Sequence, residues 1–525
     1  MPVKRIPSRF CVAVAVSVLA LTGCVTAPSA VLQVNAQAGM QEAFSPRSGG
    51  DYGWLNRVTW GATTSAVERN VGTSYEAWLS QQLHPGTARL PAVVNAQIAA
   101  MTISQRPMAQ IAQDMEQRRK DADATVGDDG KKAAQQAWQQ EMNRLSKESA
   151  TRHVLRNLYS SNQVQEQMTW FWMNHFNVHQ YKSNIRAMIG DYEEAAVRQH
   201  SLGRFRDLLG AVVYHPVMLR YLDNEQNAAG RINENFAREL MELHTLGVNG
   251  GYSQRDVQEL ARVLTGTGVN LNPAPANVKR ELQGFYVRRG LFEFNPARHD
   301  FGDKQFLGQP IKAHGIGEID EALDRLVRRP ETALFISRKL AQYWLADEPP
   351  AALIDRMGET FRRSDGDIAQ VLHTLLISPE FTQGSPHKFK DPMRYVVSSV
   401  RLAYDDKPIL NTNPILNWLN RMGEPLYGKQ TPDGYPMNEA AWASPGQMAT
   451  RFEVAKAIGS GNAGLFRSEG PEPKELAAFP QLSNALYFQA ISKTLSLATK
   501  KALDQATSPQ EWNIFLLSSP EMMTR

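Results

Sequence analysis

Asn233-Glu234-Asn235-Phe236-Ala237-Arg238-Glu239-Leu240-Met241-Glu242-Leu243-His244-Thr245-Leu246-Gly247 is the densest run of polar chemistry on a helical period anywhere in the chain. It passes through Val248-Asn249-Gly250-Gly251-Tyr252 into a second helical stretch, Ser253 to Leu264, carrying Asp256, Glu259 and Arg262. On a wheel of about 100° per residue, Leu240 and Leu243 fall within about 40° of Phe236, and the three define a buried face. Glu234, Arg238 and Glu242 lie opposite, spaced four apart as minus, plus, minus. That is a helix-stabilising ladder worth a few tenths of a kcal/mol per pair. Glu239 stands at the edge of the apolar face beside Leu246, where burial raises its pKa unless Arg262 or another cation compensates. His244 flanks the other edge, placed to orient a carboxylate or pass a proton. Two readings stay open. In one, Arg238, Glu239, Asp256, Glu259 and Arg262 form an ion network locking the two helices. In the other, Glu239 is a catalytic acid with Glu242 or Asp256 as the second carboxylate.

Working outward, helical periodicity dominates. Ser74 caps a helix from Tyr75 to Leu83 that Pro85 stops. Residues 105–150, rich in Gln, Lys, Arg, Asp and Glu, split at Gly127-Asp128-Asp129-Gly130 and read as a polar helical-hairpin arm. A further helix begins near Thr151. Val164 to His179 is aromatic almost all round, a buried helix on which His175 and His179 share a face at the spacing of a two-histidine metal pair. No third ligand stands near, so no metal is expected, with His175 the weak candidate. The period lapses between 266 and 315, where Gly284–Val287 and Leu291–Phe294 suit a small β-hairpin followed by a charged loop with His299, Asp300 and Lys304. Helices resume over Pro330–Leu345, Ala351–Arg362, Asp367–Leu376 and Pro392–Tyr404. The stretch 424–436 is loop by its Pro and Gly content. The expected fold is mainly α: a large multi-helix domain over 51–465 with the arm and the β insertion, and a C-terminal helical segment, 466–525, packed on it.

The chain has 525 residues, with 57 Lys and Arg against 53 Asp and Glu. That near-neutral balance argues against a dedicated nucleic-acid binder, which needs a clustered basic surface. Lys4, Arg5 and Arg9 precede an apolar run from Phe10 to Leu21 and then Thr22-Gly23-Cys24, the layout of a signal peptide over 1–23. Cys24 after Leu-x-Gly resembles the bacterial lipobox, so it is expected to carry lipid, with residues 24–50 a flexible tether. The second cysteine, Cys11, falls inside the signal, which leaves no disulfide or thiolate site. Val25 rather than Asp after the lipid site points to the outer membrane. There is no Gly-rich phosphate loop after a strand and no GxSxG elbow, so no cofactor is expected.

The segments NENFARELMELHTLGVNGGYSQRDVQELARVLTG, WFWMNHFNVH, RGLFEFNPARHDFGDKQFLG, ISRKLAQYWLADEPP and PLYGKQTPDGYPMNEAAW together resemble the bacterial domain of unknown function 1800 family, over roughly Tyr52 to Ile458. The resemblance implies an exported, mainly helical protein, often encoded beside a second uncharacterised family, number 1501, which looks like the phosphatase and sulfatase superfamily. Positions matching the family's polar signature are Asn174, His175, Asn233, Glu234, Asn235, Arg238, Glu239, Glu242, His244, Asp256, Glu259, Arg262, His299, Asp300 and Lys304. His179 stands where the family usually has Phe, and Lys429 where it usually has Cys.

The functional expectation is a carboxylate-dependent hydrolase acting on an envelope or extracellular polymer such as a glycan. Glu239, Glu242, His244, Asp256 and His299 are its candidate catalytic groups. Asn233, Asn235, Arg238, Arg262, Asp300 and Lys304 are its candidate binding groups. This reading predicts that Glu239 and His299 line a common cleft. The alternative is a non-catalytic scaffold or secretion partner of the neighbouring phosphatase-like exported protein, docking through the arm or an apolar patch.

Overall fold

The helix Gln163–His175 crosses the interior with Trp170, Phe171, Trp172 and Met173 all buried, leaving no face for water. This computed structural model describes residues 50–384, 388–467 and 479–525. The expected signal peptide, Cys24 and the tether up to residue 49 lie outside them, as do residues 468–478 of the C-terminal segment. The aromatic helix ends at His175 instead of running on to His179, because Phe176 leaves helical backbone at φ −103°, ψ 49°. His175 and His179 therefore share no helix face, and the expected two-histidine pair is absent.

The polar arm is two helices, Met108–Ala124 and Asp128–Tyr159, joined where Gly127 takes φ 88°. The expected break near Thr151 does not occur. The second helix runs 32 residues without interruption, solvated at first and then burying Met142, Leu145, Val154, Leu155 and Leu158. Pairs such as Arg119–Asp123 on the first helix and Arg144–Glu141 on the second lace the arm's exposed surface, each worth a few tenths of a kcal/mol.

The signature helix is shorter than its polar pattern, covering Asn235–Glu242. Beyond it the amides of Leu246 and Gly247 both return to the Met241 carbonyl, a helix-ending turn with Gly247 at φ 79°. A Cβ at Gly247 would lie 2.8 Å from the Phe335 ring, so glycine is required twice over. The following helix, Gln254–Val263, opens on a capping box between Ser253 and Asp256.

Three short strands, β1 (Thr267–Val269), β2 (Val287–Arg289) and β3 (Phe292–Phe294), form an antiparallel sheet in the order β1-β3-β2. The expected hairpin is present with its first strand displaced: Arg280–Phe285 winds as a 3₁₀ turn, and pairing starts at Val287. A second hairpin, β4 (Lys304–Phe306) with β5 (Gln309–Ile311), turns at Leu307 and Gly308, both at positive φ (50° and 76°). The helices Gly317–Arg328, Pro330–Trp344, Ala351–Arg363 and Ile368–Leu376 follow as successive packed pairs. Near the end, Pro509–Leu517 packs on Pro445–Gly459, which in turn packs on Pro392–Tyr404. The fold is mainly helical, with a polar arm and a small β insertion, as its periodicity implies.

Candidate functional site

A polar cleft of about 360 Å³ opens between the end of the aromatic helix, the helix Pro330–Trp344 and the loop 427–437. Asn174, His175, Lys339, Gln342, Lys429 and Asp433 face it. The loop is held from beneath. Asn174 makes a two-point bond to Tyr435, donating to its carbonyl at 2.9 Å and accepting from its amide at 2.6 Å. Asn177 donates to the carbonyls of Lys429 (3.1 Å) and Thr431 (2.8 Å), and the Tyr221 hydroxyl to that of Gln430 (2.8 Å). Gly434 sits at φ 76° with the Asn174 carbonyl 2.2 Å from where a Cβ would be, so no side chain fits. At the loop's base Tyr427, a non-glycine residue at φ 58°, donates its hydroxyl to Glu193 at 2.5 Å. Burial alone would raise Glu193, but the charge and hydrogen bond of His153 and the charge of Arg152 outweigh it and hold the carboxyl at about 2.

His175 forms part of the inner wall, and His244 packs behind it. His175 donates from Nε2 to the His244 carbonyl at 3.1 Å, and the two rings are 5.8 Å apart. A carbonyl only accepts, so this contact assigns the His175 proton to Nε2. His244 is 1% exposed, and among the described residues neither ring nitrogen has a partner. Burial and then the nearby Lys339 charge push His175 well below the usual histidine range and His244 down to about 3. Both rings are therefore neutral at pH 7.

Glu239 stands on the signature helix, outside the residues that line the cleft but close enough for the Asp433 charge to act on it. Among the described residues its half-buried carboxyl has no hydrogen-bond or ion-pair partner. Burial raises its pKa, the Glu242 and Asp433 charges add to that, and Arg238 only partly offsets them. Asp433, 57% exposed, accepts from the Thr431 hydroxyl at 2.5 Å and lies 3.6 Å from the Lys429 ammonium.

The other sequence candidates are employed elsewhere. Arg238 bridges Glu234 (2.9 Å) and Glu242 (3.5 Å), the ladder its spacing implies, and also Gln254 at 3.0 Å. Asn233 and Asn235 pin the chain before the helix, donating to the Asp223 and Leu222 carbonyls. Asp256 caps its helix and accepts the Leu307 amide at 2.8 Å, while Glu259 accepts that of Gln305 at 3.0 Å, so both hold the second hairpin. Arg262 pairs with Glu259 and Asp300 (2.9 and 2.8 Å), and no pair joins it to Glu239. The single network expected across the two helices is thus two separate ones. His299 and Lys304 are fully buried on Glu318, His299 Nε2 at 3.1 Å from one oxygen and Lys304 Nζ at 2.5 Å from the other. The amides of His314 and Gly315 complete that carboxylate's shell. His299 accordingly shares no cleft with Glu239: the Glu318 carboxylate draws it under the β insertion.

Lys339 and Asp433 were not singled out by the sequence, nor were Asn174 and Asn177 as clamps. Lys339 did leave a signal, since it lies on the same helical stripe as Ile336, Leu340 and Tyr343, where a lysine is out of place. Among the described residues no group of three His, Cys, Asp or Glu side chains is arranged to hold a metal ion. No curated protein and no solved structure matches the chain. The family described as "Protein of unknown function (DUF1800)" matches residues 53–524, nearly all of the folded chain, and it is to this family that the protein belongs.

Proposed function

We propose that the chain is an exported, lipid-anchored hydrolase of an envelope or extracellular polymer, most simply a glycan, working with Asp433 in the cleft and Glu239 near it. The observation that carries this reading is Glu239: a half-buried carboxyl without a partner among the described residues, its proton affinity raised by burial and by the charges of Glu242 and Asp433. A general acid operating near neutral pH needs such surroundings. Glu239 gives its proton to the leaving glycosidic oxygen as the bond to the anomeric carbon breaks. Asp433 takes a proton from the water whose oxygen adds to that carbon, and exchange with solvent resets both groups. Asp433 takes the second role because it faces the cleft, which neither Glu242 nor Asp256 does.

Glu239→Gln is expected to lower release of reducing ends from the polymer by about 10²–10⁴-fold while leaving Tm nearly unchanged. Full turnover in that variant would refute the assignment. The anchor is tested separately: Cys24→Ser should abolish fatty-acid labelling and release the protein from envelope pellets. The scaffold reading draws on the arm, where Arg119, Lys132, Gln136 and Trp138 line a groove of about 690 Å³. It gains if an exported partner co-purifies with the full chain but not with an arm-trimmed one.

A further inference from the structure

We propose that the cleft receives a monoanionic oxyanion of the polymer, a uronate carboxylate or a sulfate ester, on Lys339 with Lys429 beside it; this rests on the hydrolase reading of the same cleft. The helix Pro330–Trp344 carries Lys339 into the cleft wall, its ammonium 5.5 Å from the Phe335 ring centroid. Among the described residues Lys339 makes no hydrogen bond and no ion pair. The fully buried lysines differ. Lys304 is bonded to Glu318, Lys388 to Asp347 and the Met437 carbonyl, and Lys390 to the Ser398 hydroxyl. Three unused donors facing an open cleft suit an oxyanion.

The walls decide which one. His175 and His244, behind Lys339, are held neutral and offer no negative charge. Gln342 adds a further amide at the rim. Among the described residues Asp433 is the one acid facing the cleft, and Lys429 already stands 3.6 Å from it. Two lysines against one aspartate leave a single positive charge, which a carboxylate or sulfate ester balances. A phosphate dianion would overshoot it and meet Asp433. The cleft volume lies at the lower end of the range for small-molecule sites, room for one charged sugar unit and part of its neighbour.

The test uses the full chain carrying Glu239→Gln, so that turnover cannot obscure binding, with calorimetry at pH 7 in low salt. The probes are a hexa-galacturonate, its neutral methyl ester, a sulfated oligosaccharide of equal length and inorganic phosphate. At least one anionic oligomer is expected to bind tenfold or more tighter than the methyl ester, and whichever of the two binds tighter identifies the source of the charge. Lys339→Met should lose that preference without lowering Tm, and Lys339→Arg should keep most of it. Equal binding of charged and neutral oligomers, an unaffected Lys339→Met variant, no binding by either anionic oligomer, or phosphate binding tighter than both would overturn the proposal. Failure of the hydrolase reading is distinguishable, because it appears as retained turnover in Glu239→Gln whatever the binding data show.

Discussion

At His244 a ring sealed from water beside a lysine sets a measurable pH dependence. Its pKa is about 3 in the fold and near 6.5 in an unfolded chain. Between those values the unfolded state binds a proton that the native state refuses, so stability is complete above about pH 6.5 and drains away as pH falls towards 3. The effect is on the order of several kcal/mol. His244→Phe, which suits a ring already 5.0 Å from Phe176, should match the wild type at pH 7 and lose less stability between pH 6.5 and 4. Parallel acid melting curves for the two proteins would contradict this. Lys339 works at the other end of the scale. Burial brings it down to about 8, with Asp433 pulling slightly upward, so its charge disappears as pH rises through 8. Affinity for the anionic oligomer should therefore fall between pH 7 and 9 in the wild type and stay nearly flat in Lys339→Arg, a contrast calorimetry reads directly.

At the scale of elements, the loop 427–437 and the β insertion show what could and could not be read in advance. Pro330–Trp344 and Pro392–Tyr404 were legible to within a residue because proline opens each and an apolar stripe runs the length of each. The hairpin at Leu307-Gly308 was invisible, since a leucine at positive φ gives none of the Asn-Gly signal such turns usually carry. The polar residues of the signature stretch were legible as a cluster but not in their assignments. Wheel angles place Glu239 at an edge, yet only tertiary structure brings Asp433 to it, nearly two hundred residues further on, and sends His299 to Glu318 instead. Gly434 tests the loop's clamp. Gly434→Ala forces a Cβ against Asn174 and should free the loop, raising amide exchange over 428–437 and weakening oligomer binding. Unchanged exchange would show that the loop is held by something other than Asn174 and Asn177.

For the whole molecule, the buried Glu318 is the joint between the β insertion and the helical body. Burial would raise its pKa, but the hydrogen bonds of His299 and Lys304 prevail and hold it below the usual carboxylate range. Its stabilising effect is therefore present above the ordinary carboxylate pKa and lost as pH falls through the depressed one. Glu318→Gln leaves the buried Lys304 ammonium without its carboxylate and His299 with a weaker acceptor, and should cost about 3–5 kcal/mol, seen as a drop in Tm at pH 7. A loss under about 1 kcal/mol would mean that the site is wetter than its full burial indicates.

The uninterrupted helix Asp128–Tyr159 has a mechanical consequence. Its 32 residues make a rod about 48 Å long at 1.5 Å per residue, one end in solvent and the other seated at Arg152 and His153. His153 contacts Glu193, Glu193 holds Tyr427, and Tyr427 is the root of the loop that walls the cleft. The arm's long helix is thus tied, through His153, Glu193 and Tyr427, to the base of the loop that walls the cleft.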